Sequence, residues 1–273
     1  MDAKDMQFAD SIPKNYDRYL GPLLFTFTSA DTARRVAAIG LKTGKVLEIA
    51  AGTGITTEHM RNALPESVHI VATDISEAML VFARQKRGHL QNVAWEAADA
   101  MDLLYEDNSF DAVVCQFGIM FFPDKEKGLV EMLRVLKPGG TLIINVWDSQ
   151  DKNRVVRLCG EIIASFFETE PPTFLKIPFG FYDVDAITTM IEDAGFDEVT
   201  SEYVSETFTT IPASDIARGM VMGNPTIGEL QKRGTTGIDT VVNAITEAIE
   251  DEFGKNTPTF SIQEIVFTAK KPF

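Results

Sequence analysis

Val46-Leu47-Glu48-Ile49-Ala50-Ala51-Gly52-Thr53-Gly54-Ile55-Thr56-Thr57 reads as a buried strand that breaks into a glycine turn and at once begins a helix. Val46, Leu47 and Ile49 supply bulky apolar packing, while Gly52 and Gly54 permit backbone angles and close approaches that a Cβ forbids. Such a turn lets main-chain N–H groups and a helix N-terminus face a bound ligand. Glu48, near the carboxyl end of the strand, is an acidic group placed to read a ligand amine or hydroxyl. Together these features point to a nucleotide-like cofactor that carries something other than a pyrophosphate.

The units that follow repeat the pattern. Val68–Thr73 is a short apolar strand ending in Asp74, after which Ser76 caps a helix running through Met79, Leu80 and Phe82. Asp74 lies 20 residues beyond Gly54, the spacing at which an acidic strand end accepts ribose hydroxyls. Its alternative role is a simple partner for the helix dipole. A third strand, Val93–Ala97, leads to Asp99-Ala100-Met101, where a carboxylate can accept an adenine amine and Met101 can cover its face. A fourth, Ser109–Gly118, runs into a loop, and Leu136-Lys137-Pro138-Gly139-Gly140 reads as a turn between a helix and the strand Thr141–Trp147. Strands alternating with helices at this spacing predict a parallel sheet covered on both faces.

A nicotinamide dinucleotide site is the competing reading. Its fingerprint needs Gly or Ala at the last position of G-x-G-x-x-G, for close packing of helix on strand. Here that position is Thr57. A pyrophosphate also has no need for an acidic strand end such as Glu48.

Composition narrows the classes. The chain has 273 residues, enough for one enlarged domain or a core with a cap. A net charge of −15 disfavours nucleic acid and anionic membrane surfaces, which need basic patches. The two cysteines, Cys115 and Cys159, are too few for a disulfide framework and fit a reducing, cytoplasmic setting. There is no metal-binding spacing among the three histidines, His59, His69 and His89, so no metal is expected. The start, Met1–Asp5, lacks the basic and apolar regions of a secretory signal, and no apolar run reaches membrane-spanning length.

Outside the core, residues 1–44 form an expected N-terminal helical cap, with Asp31 capping a helix through Arg34, Arg35, Val36 and Ile39. Residues 45–208 are the expected α/β core. Within it, the phenylalanine- and proline-rich stretch 149–182 reads as a lid-like connection or pocket wall. Asp183 caps a further helix that ends at Ala194-Gly195-Phe196, before a strand near 197–208. Helical patterns near 213–222, 226–233 and 237–253 make residues 209–256 a helical insertion over the active site, with an extra packing layer or a homodimer surface as the alternatives. Residues 257–273 carry the last core strand.

The motifs V-L-E-I-A-A-G-T-G, V-A-T-D-I-S-E-A-M-L, A-A-D-A-M-D-L, F-D-A-V-V-C-Q-F-G and L-R-V-L-K-P-G-G occur in that order over residues 45–147. In this the chain resembles the class I S-adenosylmethionine-dependent methyltransferases, within them the ubiquinone/menaquinone-methyltransferase-like group. The resemblance implies a doubly wound, mostly parallel seven-stranded sheet. It also implies S-adenosylmethionine as cofactor, with S-adenosylhomocysteine as product. Ala50, Gly52 and Gly54, with Glu48 and Thr53, would line the methionine part. Asp74 would hold the ribose, with Ile75, and Met79 behind it, on the adenine side. Asp99 and Ala100, with Met101, would read the adenine, and Gln116 and Phe117 would sit beside the methyl group. An N-terminal segment folds over the pocket in this family, which makes Tyr16 and Tyr19 candidates for cofactor contact. Ala50 replaces the usual first glycine and Glu48 the commoner aspartate.

Methyl transfer from a sulfonium needs alignment and, for some acceptors, a base. No triad or carboxylate pair stands out, and the three histidines read as structural, so no catalytic residue is assigned. The aromatic-rich segments favour a small apolar or aromatic acceptor, with O-, N- or C-methylation unresolved. A dinucleotide oxidoreductase and a non-catalytic S-adenosylmethionine-binding protein remain the alternatives.

Overall fold

In the computed structural model, residues 12–234 and 236–273 are described. The opening residues Met1–Asp5, read for a secretory signal, lie outside them. A π-helical segment, Tyr16–Phe25, runs directly into α1 (Thr26–Ala38). Then follow β1 (Gly44–Ile49), α2 (Ile55–Ala63), β2 (Val68–Asp74), α3 (Glu77–Arg87) and β3 (Val93–Ala97). β4 (Phe110–Gln116), α4 (Lys125–Val135), β5 (Leu136–Trp147), α5 (Arg154–Ser165), α6 (Val184–Asp193) and β6 (Asp197–Phe208) come next. α7 (Ala213–Met222), α8 (Thr226–Arg233), α9 (Ile238–Phe253) and β7 (Phe260–Lys270) complete the chain.

The seven strands form one sheet in the order β3-β2-β1-β4-β5-β7-β6. β1 to β5 pair in parallel and β7 lies antiparallel to β5. This is the mostly parallel, Rossmann-like sheet implied by the resemblance. The strand order reverses between β1 and β4, the point in such sheets where ligands bind beyond the strands' carboxyl ends.

The chain divides into two compact units. The sheet unit comprises Phe27–Trp147, Phe181–Val204 and Glu264–Phe273. One face of its sheet packs Val46, Ala112, Val114, Ile143 and Val266 with Ala33 and Val36 of α1, Met60 of α2 and Leu64 just beyond it. Alternation explains this set: residues two apart on a strand share a face, as do residues directly opposite on neighbouring strands. The helical unit comprises the described residues up to Thr26, Asp148–Gly180 and Ser205–Gln263. Within it α7 packs on α9 and on the π-helical segment, and α9 packs on α5. Ile216 and Ala217 of α7, Ile245 of α9 and Cys159 of α5 are fully buried there.

Two local expectations hold. Ser76 and Asp183 cap their helices, each side chain accepting from the backbone N–H three residues on, and Asp124 caps α4 in the same way. Others are corrected. Asp31 is no cap: the helix begins at Thr26, and the Asp31 carboxylate instead pairs with Arg34 and Arg35 on the next turn. Leu136–Gly140 is not a free turn but the first half of β5, admitted by a register shift between Phe110 and Ala112 and by Gly139 at φ 75°. The connection 149–182 contains a helix, α5. Its buried Val155, Val156, Leu158, Cys159 and Ile163 recur at helical spacing, a pattern masked by the phenylalanines and prolines that follow.

Candidate functional site

The exit of β1 is an unusual piece of backbone. Ala50, Gly52 and Gly54 all take left-handed angles, with φ of 57°, 58° and 86°. For Ala50 this costs about 1–2 kcal/mol, which glycine at the same place would not incur. The turn is held by Ala51 N–H donating to Thr73 O (2.9 Å), Gly54 N–H to Ala51 O (2.9 Å) and Gly52 N–H to Asp74 Oδ2 (2.8 Å). A Cβ at Gly52 would meet nothing within 4 Å, so this side of the turn is open, whereas at Gly54 it would strike the Trp95 ring at 2.4 Å. Thr53 is buried and its Oγ1 has no hydrogen-bond partner. Arg87 braces the turn from behind, donating to Thr53 O and to the Glu58 carboxylate, both at 2.8 Å.

Asp74 at the end of β2 joins three elements. Its Oδ2 takes the Gly52 amide and its Oδ1 the Ser76 amide at 2.7 Å. Burial pushes its carboxyl above the usual aspartate range, and the backbone donors at Ser76, Gly52 and Ile75 oppose that shift. Ala98 N–H donates to Asp74 O (3.2 Å), which ties the loop after β3 to the same spot. In that loop Asp99 Oδ1 accepts the Met101 amide (2.9 Å), Ala100 is buried and Met101 half-buried. Ile75 is 75 % exposed and Met79 half-buried.

Glu48 is fully buried, one step before the end of β1, and its Oε2 accepts from Thr57 Oγ1. Burial pushes this carboxyl up to about 8 against the bond from Thr57, with the Asp74 charge adding to the rise. Glu48 begins a band of buried polar side chains along the sheet face that α1 and α2 cover. Gln116 at the end of β4 receives Thr32 Oγ1 on its Oε1 (2.7 Å) and donates from Nε2 to Thr28 Oγ1 and Ser29 Oγ (both 3.1 Å). Ser29 Oγ also bonds Thr56 Oγ1 of α2 (2.8 Å). Asn145 of β5 donates from Nδ2 to Glu264 Oε2 of β7 (2.8 Å). Phe117, at φ 55°, stacks on Trp147 with ring centroids 3.7 Å apart.

Ala50, Gly52, Thr53, Gly54, Asp74, Asp99 and Gln116, with their immediate neighbours in the candidate set, thus occupy the carboxyl ends of β1 to β4 or the loops after them. Tyr16 and Tyr19 belong to the helical unit. There Tyr16 stacks on Phe25 (4.6 Å), Arg18 lies over the Tyr19 ring, and Tyr19 lies against Gly219 of α7. Of the histidines, His69 and His89 are exposed, and burial lowers the pKa of His59. Among the described residues no group of three His, Cys, Asp or Glu side chains could hold a metal ion, and no helix is long and apolar enough to cross a membrane. The sequence reading missed Thr28, Ser29, Thr32, Asn145, Trp147 and Glu264. The available signal was polarity out of place, an Asn inside Ile143-Ile144-Asn145-Val146 and hydroxyls on the buried side of a helix.

Comparison with known proteins bears directly on this geometry. A methyltransferase domain matches residues 47–144. The chain is 32 % identical over 201 residues to a demethylmenaquinone methyltransferase of Staphylococcus aureus, covering 68 % of this chain and 82 % of that protein. It is 33 % identical over 177 residues to a ubiquinone/menaquinone biosynthesis C-methyltransferase of Idiomarina loihiensis, covering 59 % and 69 %. Among solved structures, Haemonchus contortus phosphoethanolamine N-methyltransferase 2 bound to S-adenosyl-L-methionine superposes with a TM-score of 0.60 at 18 % identity, over 97 % of this chain and 57 % of that one. The 4+2 cyclase SpnF superposes with 0.55 at 19 % identity, over 89 % and 81 %. Such structural likeness speaks for the fold alone, which hosts more than one chemistry. The sequence relatives go further: this chain belongs to the class I S-adenosylmethionine-dependent methyltransferases, in their ubiquinone/menaquinone-methyltransferase-like group, and is an S-adenosylmethionine-dependent methyltransferase.

Proposed function

We propose that the protein methylates a small, mainly apolar or aromatic metabolite, with a ring carbon of a quinol-type acceptor as the favoured target. The observation that carries this reading is the length of the match to the demethylmenaquinone methyltransferase. Its 201 aligned residues extend well beyond the cofactor-binding stretch 47–144, so the likeness includes segments that do not serve the cofactor alone. The many phenylalanines of residues 166–181 support an acceptor with apolar surface. Residues 209–256 are proposed to act in acceptor recognition.

For the cofactor, S-adenosylmethionine supplies an electrophilic methyl group whose leaving group is an uncharged thioether. The residues at the strand ends suit it. The open side of Gly52 admits close approach to backbone, and Thr53 Oγ1 is a buried hydroxyl with no other partner. Asp74 keeps lone-pair capacity beyond its bonds to backbone amides, and in this reading it receives the ribose hydroxyls. Asp99, Ala100 and Met101 hold the adenine, with Ile75 and Met79 beside it. Glu48, Ala50 and Gly54 shape the methionine end together with Gln116 and Phe117, and Tyr16 and Tyr19 are further proposed cofactor-binding residues. The protein's contribution to rate is alignment and exclusion of water.

The test is transfer of a radiolabelled methyl group from S-adenosylmethionine to a short-chain demethylmenaquinol, alongside a broad pool of metabolites. Label in the quinol, at carbon by mass spectrometry, is the expected result. Label only in other compounds would retain the enzyme class and reject the acceptor.

A further inference from the structure

Glu264 is the end of the buried polar band and has no role in the reading above. It lies on β7 opposite Trp147 of β5, and Asn145 is opposite both Val266 on β7 and Gln116 on β4. These side chains therefore share the sheet face covered by α1. Glu264 is fully buried. Its Oε2 accepts from Asn145 Nδ2, and its Oε1 has no partner. From Asn145 two connections reach the exit of β4. Its backbone O accepts the Phe117 amide (2.9 Å), and its side-chain Oδ1 shares the Thr32 hydroxyl (3.3 Å) with Gln116 Oε1.

That exit is under strain. Phe117 takes φ 55°, a conformation that favours glycine. The next residue is packed so closely that only glycine fits, since a Cβ at Gly118 would fall 2.6 Å from Ala50 Cβ and 2.8 Å from Cys115 Sγ. A strained backbone persists only when its surroundings over-determine it, and the restraints here include the Phe117 amide bond to Asn145 O, the Thr32 bond to Gln116 and the Trp147 stack. We propose that Glu264 is a positioning residue of the cofactor site, acting through Asn145 and Thr32 to hold the Gln116–Phe117 turn in its strained conformation. This rests on the reading that the turn lines the methionine end of S-adenosylmethionine.

Burial favours the neutral acid form. Burial pushes the Glu264 carboxyl up to about 8, opposed by the Asn145 bond, while Asp31 raises it further and Arg35 lowers it. Asp31 and Arg35 are the charged groups of α1 near it, and Arg35 is itself bound to Asp31 and to Glu202 of β6. The residues of β5 alongside, Asn145 and Trp147, are uncharged. Below its folded pKa Glu264 is neutral and the band is intact. Above it, a buried charge with one hydrogen bond pulls on Asn145 and loosens the turn.

The experiment is calorimetric binding of S-adenosylhomocysteine to the wild type and to Glu264→Gln from about pH 6.5 to 9.5. The glutamine keeps an acceptor for Asn145 and cannot ionise. The two affinities are expected to agree within about two-fold at the low end, with the wild type weaker by roughly five-fold or more at the high end. Glu48, which also titrates near 8, is present in both proteins and cancels from the ratio. A ratio that does not change with pH overturns the proposal. Glu264→Leu removes the acceptor and is expected to bind weakly at every pH; wild-type affinity across the range would equally overturn it. Should the wild type bind at no pH, the cofactor reading falls, and this role with it.

Discussion

The two halves of the sheet's carboxyl edge solve the same problem by different means. At β1 to β3, acidic strand ends are satisfied by partners close in the chain. Asp74 bonds amides 2 and 22 residues away, Asp99 an amide 2 residues away, and Glu48 a hydroxyl 9 residues away. At β4, β5 and β7 the bonds run from side chain to side chain across 84 to 119 residues. The first half is a set of turns and caps whose geometry follows from local chemistry. The second exists only once α1 has docked, because its hydroxyls complete Gln116. A ligand site built on the first half is preformed by short loops, whereas one that leans on the second inherits the stability of the whole sheet unit.

Four substitutions test this contrast, beginning with the largest expected effect. Gly54→Ala places a methyl group against Trp95 at a left-handed φ, and overpacking plus the backbone penalty predict a loss of about 2–5 kcal/mol in denaturant unfolding. A loss below 1 kcal/mol would mean that the local half yields more readily than its geometry implies. Asp74→Ala should weaken S-adenosylmethionine binding by about 1.5–3 kcal/mol in calorimetry, the scale of hydrogen bonds to a charged group. Unchanged affinity would move the ribose elsewhere. Thr32→Val strips Gln116 Oε1 of its buried donor and should cost about 1–3 kcal/mol of unfolding free energy. Ser29→Ala removes only one of the two hydroxyls that Gln116 Nε2 reaches, so a smaller loss of about 0.5–1.5 kcal/mol is expected. If Ser29→Ala proved as costly as Thr32→Val, the band would act as a unit rather than as separable bonds, which a double-mutant cycle would measure.

Much of the local half is legible in the residues. The strand, the glycine turn and the cap at Ser76 follow from β-branched runs, glycines and a hydroxyl at the right offset, and all appear where the spacing puts them. α7, α8 and α9 were equally readable, because each carries apolar residues at helical spacing with Pro or Gly between elements. Asp31 misled because an acid ahead of an apolar run looks like a cap, whereas here the helix had already begun five residues earlier. α5 was hidden by its neighbours: the aromatic and proline residues of 166–182 dominate the composition of the stretch that contains it. Glu264 falls in phase with Ile262 and Val266, on the apolar side of an alternating strand; that misplaced acid was a signal, but nothing in the stretch names its partner Asn145, 119 residues away.

By itself, then, the sequence determined the alternating strands and helices, the left-handed turn after β1 and the acidic ends of β1 and β2. All of these depend on contacts a few residues to a few tens of residues apart. The tertiary structure alone decided that Gln116 and Asn145 meet the hydroxyls of α1, that Asn145 meets Glu264, and that Phe117 stacks on Trp147. The physical reason is that a buried polar side chain must find a partner, but its partner's position is set by strand order and helix docking, which no stretch of chain encodes on its own.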